Sequence, residues 1–323
     1  MLRKCFTYFL LLLAGLWAGA ANAQPETPLP ASAPNDSGLH LSSFYQPSPT
    51  PNKKRIGLVS GLALGTYSAG MLYLGTLWYA KEELGPFHFF NDAHEWKQMD
   101  KMGHALGGFH ESRYMIDLYR WAGLPRGKRL LYAGLAGFLA QSSIEVFDGF
   151  AKKWGASVPD IGANFAGAAL AVGNYWLWEE SRIQLKMSYL PSPYLKNPDF
   201  QHLFGSNFAE GLAKDYNGQT YWLSVRVHSF LPEGRFKSFY PPWLNLAVGY
   251  GANGLEGGYH QDSREVIQAR EYRQFYVSFD IDLQQIPTRS AFLKTLFSAV
   301  NVIRLPLPAL QMDRNGVSLK AFQ

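Results

Sequence analysis

At 323 residues, 47% of them hydrophobic and 15% aromatic, the chain can bury one or two substantial cores without disulfide staples. Its formal charge of +5 falls to +3 once a leader carrying Arg3 and Lys4 is removed, too weak a field over so long a chain to recruit nucleic acid. Cys5, the lone cysteine, lies in that leader, so the remaining chain is excluded from disulfide and thiolate chemistry.

Residues 1–23 read as a secretory signal peptide: Arg3 and Lys4 precede the apolar run FTYFLLLLAGLWAGA, and Ala21-Asn22-Ala23 offers a cleavage site before Gln24. Residues 24–52 carry seven prolines among Ser, Thr and Asn and are expected to form a disordered tether.

From Ile56 to Ala80 no residue is charged, a run long enough to cross a bilayer or to form the central helix of a soluble bundle. Gly57, Gly61 and Gly65 give it a small-residue ridge suited to close helix contact. Its flanking Lys53-Lys54-Arg55 would face the periplasm first in a secreted chain. That disfavours an ordinary inner-membrane span and points to the outer membrane or its periplasmic face. Three further helices follow: 92–122, with Asp92 and Glu95 spaced as a capping pair, then 127–148, then 158–181, introduced by Ser157 and Pro159. The four together predict a helical bundle over 53–186.

After Met187 the period changes to two. Four or five strands are expected over 187–323; in FYVSFDIDL, Phe275, Val277 and Phe279 share the apolar, core-facing side, while Asp280 and Asp282 share the wet side. The fold class is therefore α+β, a helical bundle followed by a small antiparallel region packed on it.

The helices also carry polar stripes. Asp100 and His104 are four apart, with Lys101 beside them and Gly107, Gly108 and Glu111 continuing the face. Gln141, Glu145 and Asp148 repeat that logic on the third helix. Asp160, Asn164 and Gly167 repeat it on the fourth. Stranding a carboxylate against core or lipid costs several kcal/mol, so the stripes should face one another and gather Asp100, His104, Glu145, Asp148 and Asp160 as candidate catalytic groups. Lys101 and Asn164 are candidate binding residues beside them, and Lys152, Lys153 and Trp154 form a basic, aromatic loop suited to an anionic headgroup. Asp160 equally suits the start of its own helix, and His110, Glu111, Arg113, Asp117 and Arg120 read as a solvated helix face. The acidic excess leaves room for a carboxylate-bound divalent cation, but the mature chain contains no zinc-site, Walker, dinucleotide or serine-hydrolase motif.

MDKMGHALGGF, SSIEVFDGF and SVPDIGANFAGAAL together resemble the YfiM-like family of predicted periplasmic lipoproteins. The order Asp100, Lys101, His104, Glu145, Asp148, Asp160, Asn164, Gly167 is more remotely similar to membrane-embedded VanZ-like proteins. The first resemblance implies a secreted, membrane-associated envelope protein whose family has no settled activity. The sequence departs from the lipoprotein description because no cysteine follows the apolar run of its leader, so attachment is expected to rest on the first helix. Two functions stay open: an interaction or scaffold role, with the cluster fixing helix register, and an enzyme acting on a lipid-linked or cell-wall substrate. Membrane lipid or an envelope protein is the expected partner.

Overall fold

Four long helices lie between Lys53 and Trp178, and a six-stranded antiparallel sheet follows them, in the α+β order expected. The computed structural model describes residues 44–79, 83–257 and 270–323; the predicted signal peptide, Cys5 and most of the predicted tether lie outside them. Residues 44–52 of that tether dock against the helices, because Ser48 N donates to Trp121 O (3.1 Å) and Asn52 N to Ala122 O (3.0 Å).

Helix α1 (Lys53–Leu74) starts at Asn52, whose side chain accepts from Arg55 N, and buries only Ile56 and Val59. A Cβ built on Gly57, Gly61 or Gly65 would meet nothing within 4 Å, so among the described residues the predicted ridge makes no helix crossing. Helices α2 (Met99–Trp121), α3 (Arg126–Asp148) and α4 (Val158–Trp178) pack closely instead. Their apolar sides share Ile116, Tyr119, Ala133 and Tyr175. Gly108 and Gly167 allow the α2–α4 approach: a Cβ on Gly167 would lie 2.0 Å from Ala105 O. Gly167 thus sets a helix crossing rather than extending a polar stripe. Both α1 and α3 have the length and apolarity to cross a membrane.

Strands β1 (Phe89–Phe90) and β2 (Ala156–Ser157) form a short parallel pair between loops. The sheet proper runs β3 (Ile183–Tyr189), β4 (Gln219–Val225), β5 (Leu244–Asn253), β6 (Tyr272–Ile281), β7 (Ala309–Asp313) and β8 (Gly316–Lys320), each paired with the next. It docks on α2: the buried His110 donates from Nε2 to Leu185 O (2.6 Å), and the buried Arg113 donates to Ser298 O (2.7 Å). Burial, reinforced by Arg113, pushes the His110 pKa down to about 3, so its ring is neutral. Of the face expected to be solvated, His110 and Arg113 are instead buried in an interface, where they meet carbonyls of β3 and of the helix Ala291–Val300, whereas Arg120 is exposed as expected.

The two faces of the sheet invert the expectation. Phe275, Val277 and Phe279 are exposed, and Asp280 and Asp282 are fully buried. The polar side is the interior because its groups satisfy one another: Lys186 Nζ lies 2.7 Å from Asp280 Oδ2, and Arg226 Nη2 lies 2.8 Å from Asp282 Oδ2. Ser224 Oγ donates to Asp280 Oδ2 at 2.6 Å, and the Arg304 guanidinium sits 3.8 Å above the Trp222 ring. Buried polar groups persist where such partners exist.

Candidate functional site

The start of α2 is set by backbone strain and by the sheet. Trp96, Lys97 and Gln98 hold φ of 48°, 50° and 65°, a left-handed turn costing roughly 1–3 kcal/mol per non-glycine residue. The sheet rim braces it: Tyr250 OH donates to Lys97 O, Arg273 Nη2 donates to Gln98 Oε1 (2.7 Å), and Lys97 pairs with Glu271 (3.0 Å). The helix consequently begins at Met99, not at 92, and Asp92 is not its cap. The β1–β2 pairing carries Asp92 to Ser157 instead, whose Oγ donates to Asp92 Oδ1 (2.5 Å).

Asp92, Asp100, His104, Glu145, Asp148 and Asp160 line one cavity of about 330 Å³. Its closed half is a fastening network. Lys101 Nζ reaches Asp92 and Asp100 at 2.7 Å each and Asp160 Oδ1 at 3.3 Å. Ser157 N donates to Glu145 Oε2 (2.8 Å), and Ser157 Oγ caps α4 by accepting from Asp160 N (3.0 Å). Asp160 therefore serves its helix and the cluster at once.

The open half is unsatisfied. Glu145 Oε1 is buried and accepts no hydrogen bond, with His104 Nε2 3.4 Å away, and the buried Asp160 Oδ1 has the Lys101 ammonium at 3.3 Å but no hydrogen bond. Asn164 Oδ1 lies 3.0 Å from His104 Nδ1 and can only accept there, so Nδ1 carries a proton and Nε2 is the nitrogen turned to Glu145. One ligand atom from each of His104, Glu145 and Asp160 lies within 4.8 Å of the others. Two carboxylates and an imidazole held from behind by Asn164 make a donor set suited to a divalent cation.

Electrostatics match this division. Burial, with repulsion from Asp148 and Asp160, pushes Glu145 up to about 9; burial carries Asp160 up to about 7 against the pull of His104. Burial also raises Asp100 to about 6, with Lys101 opposing it. Burial pushes Asp92 the same way, but hydrogen bonds with Asp160, Lys101 and Ser157 outweigh it and hold Asp92 below the usual carboxylate range. Like charges crowded in one desolvated site cannot all ionise.

The remaining predicted residues separate. Asp148 lines the cavity but is clamped by Tyr79 OH (2.8 Å) and Trp154 Nε1 (2.5 Å). Trp154 is buried in that clamp and does not belong to an exposed loop; Lys152 pairs with Glu83 (2.8 Å), and Lys153 lies 5.8 Å from the Trp154 ring. Glu111, half-buried, accepts from Gln141 Nε2 (2.6 Å), and burial pushes its pKa up to about 7. Asp92 and Ser157 were not legible as cluster members, since both arrive from loops that carry no helical spacing. A second, apolar cavity of about 440 Å³ lies between α1, α2 and α3 and shares Leu74, Gln141 and Ile144 with the polar one.

No curated protein and no solved structure matches the chain. Residues 88–175, which hold every member of the polar cluster, match the model of an envelope family described as "Predicted periplasmic lipoprotein (DUF2279)", the assignment that the motif resemblance implied.

Proposed function

We propose that this envelope protein binds a divalent cation through His104, Glu145 and Asp160, and that the cation holds the polar head of an amphipathic, lipid-linked ligand. The observation carrying this reading is the pair of buried oxygens, Glu145 Oε1 and Asp160 Oδ1, left without hydrogen bonds around His104 Nε2, with Lys101 Nζ 3.3 Å from the second. Each such atom costs about 1–3 kcal/mol, more for a charge, and a bound cation would offset that cost at both carboxylates together. The apolar cavity beside it, which shares the wall residues Leu74, Gln141 and Ile144 with the polar one, supports a ligand with a hydrocarbon tail. With the cation bound, Asp100, near 6 and paired to Lys101, is the acid best placed to exchange a proton with that ligand.

Titrating Mn²⁺ into purified full-length protein at pH 7.5 should show one saturable site, and Glu145→Gln should weaken it by at least tenfold. Folding is not the confounder. The folded pKa of Glu145, about 9, lies above its unfolded value, so in cation-free protein its stabilising contribution is present at acid pH and lost as pH rises towards 9. Gln lacks that loss, and the variant should melt no lower than the parent at pH 7.5. Equal Mn²⁺ affinity in parent and variant would return the cluster to a structural role.

A further inference from the structure

The sheet is inside-out relative to one that faces water. Its interior holds buried ion pairs around the Trp222–Tyr276 cluster, and its outer face is apolar in register across five strands. One row reads Leu223, Val248, Val277, Leu310 and Leu319, each directly opposite the next. A second joins Phe275, Met312 and Val317, and a third pairs Leu246 with Phe279. All ten side chains are exposed. No outward position from Leu244 to Tyr250 or from Phe275 to Ile281 carries a charge.

The band has edges of a particular kind. At one end lies Tyr250, with Arg273 next to it on the outward side of β6 donating to the Tyr250 hydroxyl at 3.1 Å. At the other, β5 is preceded by Phe239, Tyr240 and Trp243, with Phe239 85% exposed. Amphipathic rings bounding an uncharged apolar band are the arrangement of a surface that sits between two lipid–water interfaces. Strands β5 and β6 have ten residues each. Their stretches without an outward charge, residues 244–250 and 275–281, are seven residues each and at about 3.3 Å per residue run about 23 Å along the strand, or about 16 Å of depth at a tilt of about 45°, part of the ~25 Å apolar band of membrane β-structures.

We propose that the outer face of β4–β8 lies in the hydrocarbon of a lipid bilayer. A second copy of the chain fits less well, since a dimer through the sheet would leave α1 bare, and α1 buries only two side chains over its 22 residues. The rows, the missing charges and the aromatic rims carry this inference, which is independent of the cation site.

The test uses the full chain in a Cys5→Ser background, reconstituted into phosphatidylethanolamine/phosphatidylglycerol vesicles. A fluorophore on Val277→Cys should be quenched by nitroxides on the lipid acyl chains and shielded at least fivefold from aqueous iodide. The same fluorophore on Asn315→Cys, at the exposed β7–β8 hairpin, should stay open to iodide. Charge gives a second readout: Val248→Lys combined with Val277→Lys should move the protein at least tenfold from the membrane fraction to the soluble fraction with unchanged circular dichroism. Iodide access at Val277→Cys equal to that at Asn315→Cys overturns the proposal. Shielding from iodide without acyl-chain quenching, accompanied by a dimeric mass, overturns it in favour of a second copy.

Discussion

Gly167→Leu is expected to unfold the helical region, lowering stability by about 4 kcal/mol or more, out of a typical total of about 5–15 kcal/mol. Even a Cβ at this position would lie 2.0 Å from Ala105 O and 2.9 Å from Phe109 N, and both are backbone atoms that cannot rotate aside. The facing position is equally tight, with a Cβ on Gly108 2.5 Å from Asn164 O. Overpacking against movable side chains costs about 1–3 kcal/mol, and here the alternative is to part α2 from α4. Parting them would also break the His104–Asn164 contact, which bridges those two helices. Gly61→Leu on α1 is the control: nothing lies within 4 Å of that position, so helix propensity should make the change neutral or stabilising by up to about 1 kcal/mol. Thermal melts by circular dichroism read both. Equal melting temperatures for the two variants would contradict the backbone crossing.

Lys186→Met should destabilise the sheet by about 3–5 kcal/mol, because it strips the partner from a fully buried Asp280. Asp280 Oδ1 already accepts no hydrogen bond, so Ser224 alone would be left to solvate the carboxylate through Oδ2. The Ile281 carbonyl would lose its bond from Lys186 Nζ (2.8 Å) as well. The double variant Lys186→Met with Asp280→Leu should recover much of the loss, since an apolar pair of similar volume carries no desolvated charge. Urea midpoints for the cycle give the coupling. Additive losses would mean that the two groups do not act as a pair.

Much of the helical region and of the site was legible because helices convert spacing into position. Asp100 with His104, and Asp160 with Asn164, share helix faces by the four-residue rule, and the cost of burying charge alone drives those faces together. Asp92 escaped that logic. It arrives through a loop fixed by β1–β2 pairing and by three left-handed residues, none of them glycine, which no propensity marks. The sheet shows a different limit. Alternation in FYVSFDIDL reveals the period of the strand but not which side is inside. The sign came from long-range partners, Lys186 on β3 for Asp280 and Arg226 for Asp282, and these are 94 and 56 positions away in the chain. A lysine on β3 and two aspartates at the end of β6, all on polar sides of strands, were the hint the sequence offered.

The proposed cation would sit between the buried carboxylates of Glu145 and Asp160 and the His104 ring. Electron spin echo envelope modulation of the protein loaded with one equivalent of Mn²⁺ tests that placement most directly, because the method detects nitrogen bonded to the ion. A ¹⁴N coupling that disappears in His104→Ala, in a variant that still folds, is the predicted result. A bound ion with no nitrogen coupling, or with one indifferent to His104, would contradict the account.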